Sequence, residues 1–235
     1  MSTRSPRARP FPNALRWLAR RRHPLLFGML VATLAIGPVL STVGAGGALL
    51  EWCLGVILLV TTLAPARDSG RRLAFIAFVV FALVLGFGPV RAQLGNAAPL
   101  TLALWSAIAF IAAARSLRYA MSSRKVDMDH LLAALNAYLL VGVFLGAIWV
   151  ALEEAMPGSL SMGGQPLHGA MTLSDGIYFS FVTMATLGYG DILPVTPIAR
   201  GVAVFEAIFG QLYLAVMVAR LVSLRIAAET REPSP

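Results

Sequence analysis

Charge and cysteine are both scarce in this sequence. Only 13% of its 235 residues are charged, and Cys53 is the one cysteine, so no intrachain disulfide can form. Cys53 lies inside an apolar block, where it reads as lipid-facing or core filler. No metal-ligand cluster, phosphate-binding glycine loop or Ser-His-Asp arrangement is present, and His23, His130 and His168 fall far apart in expected loops, solvated or interfacial. These absences argue against an enzyme and against a small-molecule substrate or a cofactor.

What the sequence has in abundance is apolar residues. At 58% hydrophobic and a mean hydropathy of +0.77, it is too apolar for a soluble domain to bury in one core. The net charge of +8 could suit a nucleic-acid binder, but the basic residues sit between apolar blocks and are not interleaved with stacking aromatics. No nucleic-acid partner is expected.

Six apolar blocks stand out, at residues 25–43, 49–64, 73–90, 97–114, 131–152 and 198–222. At about 1.5 Å per residue a helical block near 20 long crosses a hydrocarbon core of about 30 Å. A cleaved signal peptide is disfavoured for the first, because its apolar run exceeds the usual 7–15 residues or so. Seventeen of the nineteen basic residues fall in the first 22 residues, the even-numbered connections and the last 16 residues, leaving Arg91 and Arg200 on the opposite side. Basic loops resist translocation, so both termini are expected in the cytoplasm. Eighteen Arg to one Lys suggests a GC-rich bacterial genome, and hence the inner, or plasma, membrane.

The expected organisation is a basic tail (1–24), a four-helix membrane domain (25–114), a cytoplasmic connector (115–130), a pore-like pair (131–225) and a short tail (226–235). Block 97–114 contains no charge and the first three contain only Glu51 near an outer end, so nothing there can move through the field as a conventional voltage sensor. Arg115 and Arg118, just past the fourth block, read as positive-inside anchors on anionic lipid. Membrane lipids are thus expected partners.

The interval between the last two blocks breaks the pattern. Its first part, within an outer loop at 153–172, is rich in Gly, Pro, Ser and Met. Thr172 or Ser174 can cap a helix at 173–185 with Asp175 in its first turn, and a helix of about 12 residues cannot span a bilayer. Thr186, Leu187, Gly188, Tyr189, Gly190 and Asp191 follow at once. Such backbone is tolerated at membrane depth only where protein shields it or it lines a water-filled cavity. Two glycines flanking Tyr189 can take positive φ, letting successive carbonyls point the same way.

Residues 183–191, TMATLGYGD, resemble the selectivity-filter signature of tetrameric potassium channels. A chance match to the six residues TLGYGD in a chain of this length has odds on the order of 10⁻⁵. The resemblance implies an all-α integral membrane protein of six transmembrane helices, with a re-entrant pore helix and filter loop (186–191) between the fifth (131–152) and sixth (198–225). One filter copy and no internal repeat imply a homotetramer. It further implies that the carbonyls of Thr186, Leu187, Gly188 and Tyr189, with the Thr186 hydroxyl, coordinate potassium, the permeant ion, and that Gly190 completes the filter. Leu187 stands where the family most often has Val, and Ala185 where it often has a second Thr. A nonselective cation channel and a non-conducting scaffold or sensor are the alternatives, both disfavoured by the intact GYGD.

Around this signature, Asp191 is expected at the outer mouth, concentrating cations or holding the filter by hydrogen bonds. Glu206, about two turns into the last helix, is expected to brace the filter or pore helix, or else to act as a protonatable gate. Gln211, Leu214, Val218 and Val222 share a helical stripe assigned to the cavity wall and inner gate. Gly210 has a position similar to the family's gating-hinge glycine, although close packing also explains glycine in a membrane helix. The gating stimulus is not legible here.

Overall fold

The computed structural model describes residues 21–41, 80, 98–122, 127–167 and 171–229. Five helices dominate: α1 (Arg22–Ser41), α2 (Ala98–Met121), α3 (Met128–Ala155), α4 (Leu173–Met184) and α5 (Pro197–Glu229). Among the described residues, two segments are long and apolar enough to cross a membrane, Met128–Ala155 and Pro197–Leu224. The blocks expected at 49–64 and 73–90 lie outside the described residues apart from position 80, as do residues 1–20 and 230–235 of the expected tails, Cys53 and His168.

The helices start where the sequence provides caps. Asp127 adopts extended backbone and its carboxylate accepts the His130 N–H at 2.9 Å, fixing the first turn of α3. In α4, Thr172 and Asp175 form a reciprocal capping box, each side chain accepting the other's backbone N–H. Helix α2 runs to Met121, about two turns past the expected end at 114, so much of the expected connector is helical. The histidines also depart from expectation. His23 is buried in the first turn of α1 and stacks 4.4 Å from Tyr119, while His130, in the first turn of α3, stacks 4.7 Å from the same ring. Aromatic stacking across helix ends outweighs the local polarity that made these segments look like loops.

Helix α3 is the hub against which α1, α2 and α4 pack. Leu26 and Leu30 of α1, Ile108, Ala109, Ala112 and Ala113 of α2, Leu140 and Val143 of α3, and Ile177 of α4 share one buried cluster. Glycines let α4 lie directly on α3. A Cβ at Gly146 would sit 2.6 Å from the Ile177 Cα, and one at Gly142 would sit 2.5 Å from the Phe181 ring. Gly142 and Gly146 are four apart, the small-xxx-small spacing that brings membrane helices into close contact.

The segments flanking α4 hold a small sheet that the all-helical expectation missed. Strands β1 (Leu160–Met162), β2 (Gln165–Pro166) and β3 (Ile192–Pro194) form an antiparallel sheet in the order β2-β1-β3. Gly163 and Gly164, both at positive φ, make the two-residue turn between β1 and β2. Leu160 and Ile192 bury against Trp149 and Phe179, which anchors the sheet on α3 and α4.

Candidate ion-conduction site

The segment after α4 is shaped by where its N–H groups go. Helix α4 ends at Met184, and its last carbonyls have no intrahelical donors. The N–H of Thr186 donates to Thr183 O at 3.0 Å, and those of Leu187 and Gly188 donate to Val182 O at 2.9 and 3.5 Å. The backbone therefore folds back on the helix end by its donors. Among the described residues, no backbone hydrogen bond between loop segments uses the carbonyls of Thr186, Leu187, Gly188 or Tyr189 as acceptor.

Handedness alternates along the same stretch. Thr186, Gly188 and Gly190 have φ of 56°, 59° and 80°, and no other non-glycine among the described residues has positive φ. In an ordinary strand successive carbonyls point to opposite sides; turning every second residue left-handed brings them to one side. Gly188 and Gly190 take this conformation without penalty, and a Cβ at either would meet nothing within 4 Å. Thr186 is β-branched, so its positive φ is strained and must be held by its surroundings. Leu187 and Tyr189 are 54% and 67% exposed.

Asp191 closes the stretch. Its carboxylate accepts the Tyr178 O–H at 2.8 Å, and its carbonyl accepts the Gly163 N–H of the β1–β2 hairpin at 3.0 Å. The bond to a carboxylate, reinforced by burial and by the Asp191 charge, pushes the Tyr178 phenol up to about 12.

Behind α4 sits Glu206, fully buried on α5. Its Oε2 accepts the Trp149 Nε1–H of α3 at 2.6 Å, and its Oε1 accepts the Ser180 hydroxyl of α4 at 2.5 Å. One carboxylate thus joins three helices, and Trp149 packs edge-on against Phe179 at 4.8 Å. One turn further, α5 meets the end of α4. A Cβ at Gly210 would lie 2.5 Å from the Met184 carbonyl oxygen, and Gln211 Nε2 donates to that oxygen at 3.3 Å. Leu214, Val218 and Val222 are exposed on the single chain, at 37%, 59% and 53%.

The sequence reading singled out Thr186 to Asp191, Glu206, Gly210 and Gln211, which the structure brings together around the end of α4. It did not assign Trp149, Ser180 or Tyr178, the partners of the two acids, to the site. Nothing in the sequence marks those three, because their role exists only once helices distant in the chain meet. Gly142 and Gly146, which seat α4, were not singled out either, and their spacing of four is the signal that could have found them.

Residues 135–225 match the family described as ion channel. Two pore potassium channel c of Oryza sativa subsp. japonica is 33% identical over 89 residues, covering 38% of this chain and 19% of that protein. The inward rectifier potassium channel Kirbac3.1 of Paramagnetospirillum magnetotacticum is 34% identical over 83 residues, 34% of this chain and 24% of the relative. Human potassium voltage-gated channel subfamily A member 10 is 34% identical over 92 residues, 39% of this chain and 16% of the relative. The chain thus spans about a quarter or less of these relatives' lengths. No solved structure matches it. These matches, with two helices able to cross a membrane, support a membrane protein whose 135–225 segment is related to potassium channels.

Proposed function

We propose that this protein conducts potassium passively across a bacterial plasma membrane through a filter of backbone carbonyls at Thr186, Leu187, Gly188 and Tyr189, completed by Gly190. One observation carries the reading: TLGYGD follows a capped 12-residue helix with left-handed backbone at Thr186, Gly188 and Gly190 and with carbonyls that take no loop hydrogen bonds among the described residues. Carbonyls in that arrangement can replace the hydration shell of a cation.

One such strand cannot encircle an ion, so the working unit is a homotetramer of a six-span, multi-pass chain with both termini in the cytoplasm. Asp191 stands at the outer mouth. Glu206 supports the filter from behind through Ser180 and Trp149. Gln211, Leu214, Val218 and Val222 line the inner cavity and gate, with Gly210 as hinge. Potassium is the permeant ligand and no cofactor is needed. With no charge in block 97–114, gating is not conventionally voltage-driven, and Arg115 and Arg118 contact anionic lipid at the inner surface.

The test is flux from liposomes holding the purified protein, under a potassium gradient and then a sodium gradient, with Gly188→Ser beside the wild type. A Cβ at a φ of 59° forces that backbone to rearrange. Potassium-selective flux that the substitution abolishes is the expected result. Equal flux of both ions would make this a nonselective cation channel, and no flux under any lipid, pH or tension would favour a scaffold or sensor.

A further inference from the structure

The proposed filter has two ends, and α4 and α5 hold only the inner one. At the outer end the chain leaves Asp191 into β3, and β3 is paired along its whole length with β1. The register places Leu160 opposite Pro194, Ser161 opposite Leu193 and Met162 opposite Ile192. Beyond the ladder, Ser159 O accepts the N–H groups of Val195 and Thr196 at 2.8 and 3.4 Å, and Gly163 N–H donates to Asp191 O. Every residue from Asp191 to Thr196 is therefore engaged by a hairpin lying between the outer helix and the pore helix in sequence.

Besides the apolar anchorage of Leu160 and Ile192, one carboxylate ties the hairpin to α3. Glu153, in the last turn of α3, is fully buried. Its Oε1 accepts the Gly158 N–H at 2.7 Å and its Oε2 accepts the Leu160 N–H at 2.9 Å. Both oxygens thus fix the chain just where it enters β1. A buried carboxyl group held on both oxygens by backbone N–H groups is bound to its geometry, since losing either bond leaves a polar group unpaired.

We infer that the outer hairpin is a clasp that fixes the outer end of the filter, with Glu153 as its positioning residue. Glu153 touches no filter atom; it acts through β1, β3 and Asp191. The inference rests on the conducting reading above. Releasing the clasp frees residues 191–196 and allows the outermost filter carbonyls to leave their ion-coordinating geometry. Flux then decays during sustained driving and discrimination between potassium and sodium falls. External potassium opposes both effects, because an ion bound to the ordered filter stabilises it by mass action.

The experiment compares wild type with Glu153→Gln and Ser161→Pro in planar bilayers. The Gln variant keeps the side-chain shape but turns one acceptor into a donor facing an N–H. The Pro variant leaves Glu153 intact and removes a donor from the middle of β1. Assembly is verified by native mass measurement, and hydrogen exchange at the Gly163 and Val195 amides reports the clasp independently of conduction. Expected are faster exchange at both amides, decay of potassium current accelerated about fivefold or more, a lower potassium-to-sodium permeability ratio, and recovery of both in high external potassium. A conducting wild type whose two assembled variants match it in decay and permeability ratio would overturn the clasp alone. A wild type without selective flux would overturn the conducting reading, and this inference with it. Should Glu153→Gln fail to assemble, Ser161→Pro decides by the same readouts.

Discussion

At the scale of single residues, two acids dominate and the structure gives each a different environment. Glu206 is fully buried with a donor on each oxygen. Hydrogen bonds between membrane helices average about 0.6 kcal/mol each, while orphaned buried groups cost about 1–3 kcal/mol. Glu206→Ala strands both the indole N–H and the Ser180 hydroxyl, so the second figure governs. A loss on the order of 2–4 kcal/mol is expected in unfolding from detergent, with a smaller loss for Glu206→Gln, which retains one acceptor. An unchanged midpoint for the Ala variant would show that the carboxylate braces nothing.

Asp191 is exposed, and its partner supplies the pH signature. The Tyr178 phenol is raised from 10.0 to about 12 by its bond to the carboxylate. A raised folded value means that the bond's contribution is complete below 10, the unfolded value, and is lost as pH climbs through about 12. The Tyr178–Asp191 contact is therefore constant across neutral pH. In a tyrosinate absorbance titration, subtracting Tyr178→Phe from wild type should isolate one phenol ionising near 12. A difference curve centred at 10 would mean that the contact does not form.

The segment proposed as the filter stands out at this scale because its conformation is backbone chemistry written in adjacent letters. Glycine at 188 and 190 announces left-handed backbone, and both glycines take it. The left-handed Thr186 was not foreseeable: nothing about threonine favours that region, and only the fold-back onto Thr183 and Val182 imposes it. Glu206 was noticed because a carboxylate stands out in an apolar block. Its partners were not, since tryptophan and serine are unremarkable in helices.

At the scale of elements, the apolar blocks at 131–152 and 198–222 lie within α3 and α5, and Thr172, one of the two cap candidates, stands at the start of α4. The sheet escaped because its strands are two or three residues long, too short for any alternation to register. Helix contact was not read from the sequence, although the four-residue spacing of Gly142 and Gly146 carries its signal. The two make different predictions. A Cβ at Gly142 meets the end of a phenyl ring, which can rotate aside, whereas at Gly146 it meets the Ile177 Cα and N at 2.6 and 2.7 Å, which cannot. Gly146→Val should therefore cost more than Gly142→Ala. Overpacking of this kind costs about 1–3 kcal/mol, and the Gly146 variant should lie at or above the top of that range when thermal unfolding of both is measured. The reverse order would mean that α4 does not lie on α3 by its backbone.

At the scale of the whole molecule, α5 is the element least accounted for by one chain. Phe205, Ile208, Leu212 and Val216 are each more than half exposed, and their spacing of three, four and four puts them on one stripe. Gln211, Leu214, Val218 and Val222 make the neighbouring stripe, about 100° around the helix. In the proposed tetramer the second stripe faces a water-filled cavity and the first faces a neighbouring chain. A carboxylate discriminates between them. Placed mid-membrane in an apolar contact it costs about 2.5 kcal/mol or more, and fourfold symmetry imposes that cost four times, about 10 kcal/mol per assembly. Facing a cavity it remains hydrated and costs little. Ile208→Glu should thus reduce the native mass from four chains to one of 25.0 kDa, with helicity retained because Ile208 lies outside the buried clusters. Val218→Glu should stay tetrameric and alter conduction only. Dissociation by Val218→Glu with a tetrameric Ile208→Glu would exchange the two stripes and rotate α5 within the pore.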